Sequence, residues 1–340
     1  MKNFLTKVFF VFIALFIYPG SQAQVRGVGA IGITVSEMNR SIKFYSEVLG
    51  FRKISDVELF GKQYEQLEGI FGLRVRVARM RLGDEFIELT DYLTSGGRKI
   101  PEDTKSNDLV FQHVAIVVSN MERAFEHLRK FHVEYVSTAP QTLPKSIPAA
   151  EGIKAFYFHD PDNHNLELIY FPAGKGQSKW HGASMKGNER IFLGIDHTAI
   201  GVRNSKESDN FYAGILGLER KGDSWNKGTE QEHLNNVEGA SLHITGYRAK
   251  EGPGVEFLEY LVPGPGRPYP TDSKANDIWH WQTTLVVDDA EKLYNTFLHL
   301  AYKFVSNGLV QLHAKTGDEK KAFVIRDPDG HAILILGAPK

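Results

Sequence analysis

The chain has 340 residues, with 40 Lys and Arg against 41 Asp and Glu, and 42% hydrophobic residues. That is length enough for two ordinary domains and the composition of a globular protein, which excludes global disorder. A net charge of −1 gives no long-range pull toward nucleic acid or anionic lipid, and the absence of cysteine excludes disulfides, thiolate metal sites and Cys nucleophiles.

Residues 1–23 read as an export signal. Lys2 and Lys7 precede or flank an uncharged apolar run from Val8 to Tyr18, and Ser21-Gln22-Ala23 supplies the small residues of a cleavage site. The run is shorter than the ~20 residues that span a bilayer. The expected mature protein is therefore periplasmic or secreted, with no stable membrane anchor after cleavage.

From Ala30 onward one strand signature recurs four times: Ala30 to Val35, His113 to Val118, His197 to Val202 and Gln282 to Val287. The four starts are 83, 84 and 85 residues apart. A helical stretch follows each, opened in two cases by the capping patterns Ser119-Asn-Met-Glu122 and Asp288-Asp-Ala-Glu291. About three strand-like runs complete each unit. The last runs hold Glu88, Glu167, Glu259 and Leu334. A longer repeat overlies the short one. Phe44-Tyr45…Leu49-Gly50 in unit one matches Phe211-Tyr212…Leu216-Gly217 in unit three, and Asp160-Pro-Asp-Asn-His164 in unit two matches Asp327-Pro-Asp-Gly-His331 in unit four. The connector Gly97-Arg98…Pro101…Asp103…Lys105…Asn107-Asp108 recurs 169 positions on as Gly266-Arg267…Pro270…Asp272…Lys274…Asn276-Asp277. Repetition this close marks the connector as more than spacer. The organisation is thus a signal (1–23), a first domain of two units (24–178), a linker (179–190) and a second domain of two units (191–340).

Tandem strand–helix–three-strand units, with His or Gln opening the first strand and Glu on the last, resemble the vicinal oxygen chelate superfamily. Glyoxalase I, extradiol dioxygenases, and fosfomycin- and bleomycin-resistance proteins belong to it. The resemblance implies an α+β fold of four βαβββ units forming two half-open mixed-sheet barrels. It also implies a divalent metal (Zn, Ni, Mn, Co or Fe(II)) held by His and Glu ligands from two units. Carried over by position, the ligand places are Ala30 and Glu88, His113 and Glu167, His197 and Glu259, and Gln282 and Leu334. Ala and Leu cannot ligate. If neighbouring units pair, each barrel lacks one ligand. If unit two pairs with three and one with four, the middle barrel holds His113, Glu167, His197 and Glu259, and the outer one keeps only Glu88 and Gln282. The crossed pairing is preferred because it leaves one site intact.

The expected function is an exported metal-dependent isomerase, lyase or epimerase acting on a small molecule with vicinal oxygens. The metal would act as Lewis acid and Glu167 or Glu259 as base. The alternatives are an extradiol-type dioxygenase and a metal-free binder of the bleomycin-resistance kind. Four units can complete both barrels in one chain, so a monomer suffices for a site and a dimer is not excluded. His181, His233 and Trp281 are candidate substrate contacts. Lys179-Trp180-His181 could cover the middle barrel. Gly27-Val-Gly29-Ala-Ile-Gly32 matches a dinucleotide motif, but a strand rather than a helix follows it. Arg74, Arg76, Arg79 and Arg81 read as solvated positions on a strand.

Overall fold

The computed structural model describes residues 25–181, 190–313 and 319–338; the expected export signal and most of the linker lie outside the described residues. Unit one comprises β1 (Val25–Val35), α1 (Met38–Lys43), β2 (Arg52–Phe60), α2 (Lys62–Glu68), β3 (Arg74–Leu82) and β4 (Glu85–Tyr92). Unit two comprises β5 (Gln112–Val118), α3 (Met121–Lys130), β6 (Gln141–Thr142), β7 (Lys154–His159) and β8 (Asn165–Tyr170). Unit three comprises β9 (Phe192–Val202), α4 (Ser205–Asp209), β10 (Glu219–Lys227), α5 (Thr229–Asn235), β11 (Ser241–Arg248) and β12 (Gly254–Val262). Unit four comprises β13 (Trp281–Val287), α6 (Ala290–His299), β14 (Val310–His313), β15 (Glu319–Arg326) and β16 (Ala332–Gly337).

Local sequence explains the helices. In α3, Met121, Ala124 and Leu128 recur at helical spacing and are buried. The capping patterns operate one residue later than their spacing suggests. Asn120 and Asp289 are the caps, accepting from the amides of Arg123 and Lys292. Ser119 and Asp288 instead bond Arg190 and Arg26.

The strands form two eight-stranded sheets, ordered β14-β15-β16-β13-β1-β4-β3-β2 and β10-β11-β12-β9-β5-β8-β7-β6. Unit one therefore pairs with unit four, and unit two with unit three. The central pairs, β1 with β13 and β5 with β9, are antiparallel. The hydrophobic cores are shared differently. One core joins Ile31, Ile33 and Tyr45 of unit one to Val114, Ile116 and Leu128 of unit two. Another joins Phe211 and Tyr212 of unit three to Leu285 and Phe297 of unit four. Each half of the sequence thus shares a core, while each curled sheet takes one unit from each half.

The repeated connectors clamp this arrangement. The Arg98 guanidinium donates to Asp277 at 2.7 and 3.0 Å, and the Arg267 guanidinium to Asp108 at 2.7 and 3.0 Å. The backbones cross as well: Ile278 N–H donates to Arg98 O, and Leu109 N–H to Arg267 O, both at 2.9 Å. Glycine is required at the crossing, because a Cβ on Gly97 would lie 1.9 Å from Asn276 O. The two Asp-Pro turns add a second pair of latches. Tyr45 donates to Asp160 at 3.1 Å, and His164 bonds Asp160 at 2.9 Å and Ile278 O at 2.7 Å. Tyr212, Asp327, His331 and Leu109 O repeat the pattern at 3.0, 3.1 and 2.8 Å. Each imidazole faces an acceptor at both nitrogens, so it must carry both protons to donate to both. Burial opposes that charge, but the aspartate outweighs burial and raises both histidines above their usual value.

Candidate metal centre

The site follows from register. On β5, His113 stands opposite Ala199 of β9, and Ala115 stands opposite His197. Ala115 also neighbours Glu167 on β8, and Ala199 neighbours Glu256 on β12. Two rungs result, Glu167–Ala115–His197 and His113–Ala199–Glu256, related by the pseudo-twofold of the paired units. Alternation in a strand puts all six side chains on one face. The small alanines leave room for the longer residues to converge. Gly254 lies beside His197, and a Cβ there would approach both His197 Cβ and the Arg248 guanidinium carbon to 3.3 Å.

His113, Glu167 and His197 are buried and each offers a ligand atom, all within 4.8 Å of one another. His113 Nε2 lies 3.1 Å from Glu167 Oε2, and His197 Nε2 lies 3.5 Å from the same oxygen. These contacts lack hydrogen-bond geometry: both nitrogens of His113 and Nε2 of His197 are buried without a hydrogen-bond partner. Orphaned polar atoms of this kind call for an explanation. Glu256 Oε2 is 3.4 Å from His197 Nε2 and its side chain is 28% exposed. Tyr157 packs on the His113 ring at 4.9 Å.

Electrostatics point the same way. Burial raises Glu167, but the two imidazoles outweigh it and hold the carboxyl at about 2. Burial lowers His197, but Glu256, Asp196 and Glu167 outweigh it and push it well above its usual value. Glu256 is raised, first by burial. The cluster is thus rich enough in carboxylate to draw protons onto its imidazole, and a divalent cation can take the place of those protons. Two imidazole nitrogens and carboxylate oxygens suit Zn, Fe(II), Mn, Co or Ni.

Glu167, His197 and Glu256 line a cavity of ≈ 380 Å³, with His113 buried behind them. Leu143, Ile153, Ile169 and Phe171 form its apolar side, and Ser224, Asn226 and Gln231 line a polar side.

Three of the four expected ligands come together. Glu259 does not join them. Its carboxylate accepts from the Ser205 amide at 3.3 Å and from the Ser205 hydroxyl, and it neighbours His243 Nδ1 at 3.4 Å. Glu259 lies three positions beyond Glu256, and an odd step along a strand changes face. Asp91, three beyond Glu88, does the same in unit one by accepting from Met38 N–H at 3.1 Å. This repeated acid on the last strand was the sequence signal that separates Glu256 from Glu259.

The remaining candidates lie elsewhere. His233 is exposed and bonds Thr138. His181 Nε2 contacts Lys175 O. Trp281 is 3% exposed, in the core of units one and two. None of the three lines the cavity. In the outer sheet, Glu88 pairs with the guanidinium of Arg79, its cross-strand neighbour. Gln282 donates to Glu68 at 3.4 Å. A protein cation thus neutralises the one carboxylate kept at the outer ligand places. Arg74, Arg76 and Arg81 pair with Glu58, Asp56 and Asp84.

Curled sheets built from paired βαβββ units, with two histidines and a glutamate converging on one face of one sheet, define a vicinal-oxygen-chelate fold with one candidate metal centre among the described residues. The chain belongs to the Glyoxalase/Bleomycin resistance protein/Dioxygenase superfamily, whose profile matches residues 27–168 and again 194–335. Glyoxalase I from Zea mays shares the fold at a TM-score of 0.57 and 15% identity, over 92% of each chain. A proposed dioxygenase from Bacillus subtilis does so at a TM-score of 0.54 and 16% identity, over 93% of this chain and 86% of that one. Curated proteins yield no match.

Proposed function

We propose that the chain is an exported, divalent-metal-dependent isomerase, lyase or epimerase acting on a small molecule with two adjacent oxygens. The observation that carries this reading is the set of unpartnered ring nitrogens on His113 and His197, gathered with Glu167 beside the cavity. His113, Glu167 and His197 would hold the ion, with Glu256 in the fourth place that sequence position had given to Glu259. A bound divalent ion supplies Lewis acidity to neighbouring substrate oxygens.

The chain's own residues divide the remaining work. Glu167 is held low and stays ionised, whereas Glu256 is raised and more exposed. Two carboxyls whose surroundings drive them apart take different roles. Glu256 accepts a proton from the substrate carbon and returns it. The apolar side of the cavity limits water around that transfer, and the polar side orients the oxygens.

The test is proton exchange. Small hydroxycarbonyl compounds are incubated in D2O with the protein reconstituted with Zn, Ni, Mn, Co or Fe(II), and followed by NMR. Metal-dependent exchange, abolished by chelation and by Glu256→Gln, supports the reading. Stoichiometric ligand binding insensitive to chelation would favour a metal-free binder instead. A second reading has a specific observation behind it: two histidines and one carboxylate are also the ligand set of non-haem Fe(II) oxygenases. Oxygen uptake with catechols and Fe(II), without proton exchange, would put extradiol cleavage first.

Export rests on residues 1–23 alone. A periplasmic or secreted product beginning after Ala23, found by N-terminal sequencing, supports it; a cytoplasmic product retaining Lys2 and Lys7 refutes it.

A further inference from the structure

The two ligand histidines are held differently. Neither nitrogen of His113 has a hydrogen-bond partner, and the residue before it, Gln112, has its amide nitrogen unpartnered too. His197 Nδ1 instead meets Asp196 Oδ2 at 3.1 Å. Asp196 is itself anchored by donors from two other segments. Arg248 reaches the same oxygen at 2.7 Å. Trp180 Nε1 and Gln177 Nε2 donate to Oδ1 at 2.9 and 3.0 Å. The carboxylate is 5% exposed.

The seat for Trp180 is shaped by the sequence. A Cβ on Gly194 would lie 2.9 Å from the Trp180 ring, so only glycine there admits the indole. Lys179 packs over that indole at 4.3 Å and pairs with Glu85 of the other sheet. Glu85 in turn accepts from Ile195 N–H at 3.1 Å. The positions before the other strand openings hold Gly29, Gln112 and Trp281, none of them acidic. The brace therefore belongs to unit three alone.

We propose that Asp196 is a positioning residue for His197, and that the turn around Gln177 and Trp180 locks it in place. This rests on the metal reading above. An acceptor fixed at Nδ1 keeps the proton there and leaves the Nε2 lone pair directed at the site, raising ligand basicity. The segment joining the two halves of the chain thereby contributes to a site it does not line.

The test compares Co(II) and Zn(II) affinity, by chelator competition, in wild type, Asp196→Asn, Trp180→Phe and His197→Ala, with the melting temperature of each metal-free protein. Asparagine keeps the shape but removes the charge and can offer N–H where an acceptor is needed. Loss of an outer-shell partner lowers metal affinity by about 10–100-fold. That loss is expected in Asp196→Asn, and a smaller loss in Trp180→Phe, whose indole supplies one donor of the four. A shift in melting temperature with unchanged affinity would show a merely structural role and overturn the proposal. If Asp196→Asn does not fold, unchanged affinity in Trp180→Phe overturns it equally. Metal binding in wild type that is lost in His197→Ala but kept in Asp196→Asn removes this inference and leaves the metal reading standing. Absence of binding in wild type removes both.

Discussion

Replacing Glu256 and Glu259 separately by glutamine tests the register argument, because the two residues differ by three positions and one sheet face. Glu256 Oε2 lies 3.4 Å from His197 Nε2 in the carboxylate-rich cluster. Glu256→Gln keeps the volume but removes the charge from the fourth ligand place. Losing a residue that only hydrogen-bonds a ligand costs about 10–100-fold in metal affinity, so loss at the fourth ligand place should reach at least that range. Glu259 instead accepts from the first amide of the helix that begins at Ser205, at 3.3 Å, beside the N-cap Asn204. Loss of such a hydrogen bond costs about 0.5–1.5 kcal/mol. Glutamine keeps an acceptor and the Glu259 side chain is 20% exposed, so the low end applies, about 0.5 kcal/mol. The assays are isothermal titration with Zn(II) for affinity and urea unfolding of the metal-free protein for stability. Glu256→Gln should lose affinity with little change in stability, and Glu259→Gln should do the reverse. Equal affinity loss in both, or loss only in Glu259→Gln, would refute the assignment of faces.

Other expectations follow from the clamps. His164 and His331 are raised in the folded protein, so their contribution is complete below the unfolded histidine value of about 6.5 and is lost as pH rises through the folded value. Asp160 and Asp327 are lowered, so theirs is complete above about 3.9 and is lost as pH falls through the folded value. Melting temperature should therefore plateau between these limits, and a double His164→Asn, His331→Asn variant should flatten the alkaline decline; an unchanged decline would contradict the latch. Arg98→Ala leaves Asp277, whose side chain is 4% exposed, with only the amides of residue 98 and Lys274 as donors, and should cost about 3 kcal/mol, the low end for a broken buried pair because those amides remain and the arginine is half exposed. A loss below about 1 kcal/mol in urea unfolding would show that the pair behaves as a surface bridge. Gly97→Ala forces backbone to move away from a Cβ placed 1.9 Å from Asn276 O, and should destabilise by about 1–3 kcal/mol; unchanged stability would mean the crossing is loose.

Much of the architecture was legible because duplication writes it twice. The four strand openings, the helices behind them and the Asp-Pro turns all stand where the repeats place them. The crossed pairing was legible only indirectly, through the uneven ligand places. What the sequence did not show was how the paired connectors Gly97–Asp108 and Gly266–Asp277 lock that pairing, since the salt bridges join residues about 160–180 positions apart. His113, Glu167 and His197 were found by position. Glu256 was missed because β12 carries glutamates on both faces, and only strand parity separates them. Asp196 was missed for another reason: its neighbour His197 was weighed as a ligand, while its partners Trp180, Gln177 and Arg248 reach it only once the chain has folded. His181 stands in the linker between the halves and Trp281 beside Gln282, and a place along the chain, like the residue type of His233, says nothing about which way a side chain turns.

The central claim is that one shared metal centre lies between units two and three. The most direct measurement is metal content of the purified chain after reconstitution, beside His113→Ala and His197→Ala. About one divalent ion per chain, lost in both variants, is the predicted result, because ligand atoms of both histidines lie within 4.8 Å of a Glu167 oxygen. No metal after reconstitution with Zn, Ni, Mn, Co and Fe(II), or metal retained in either variant, would contradict it.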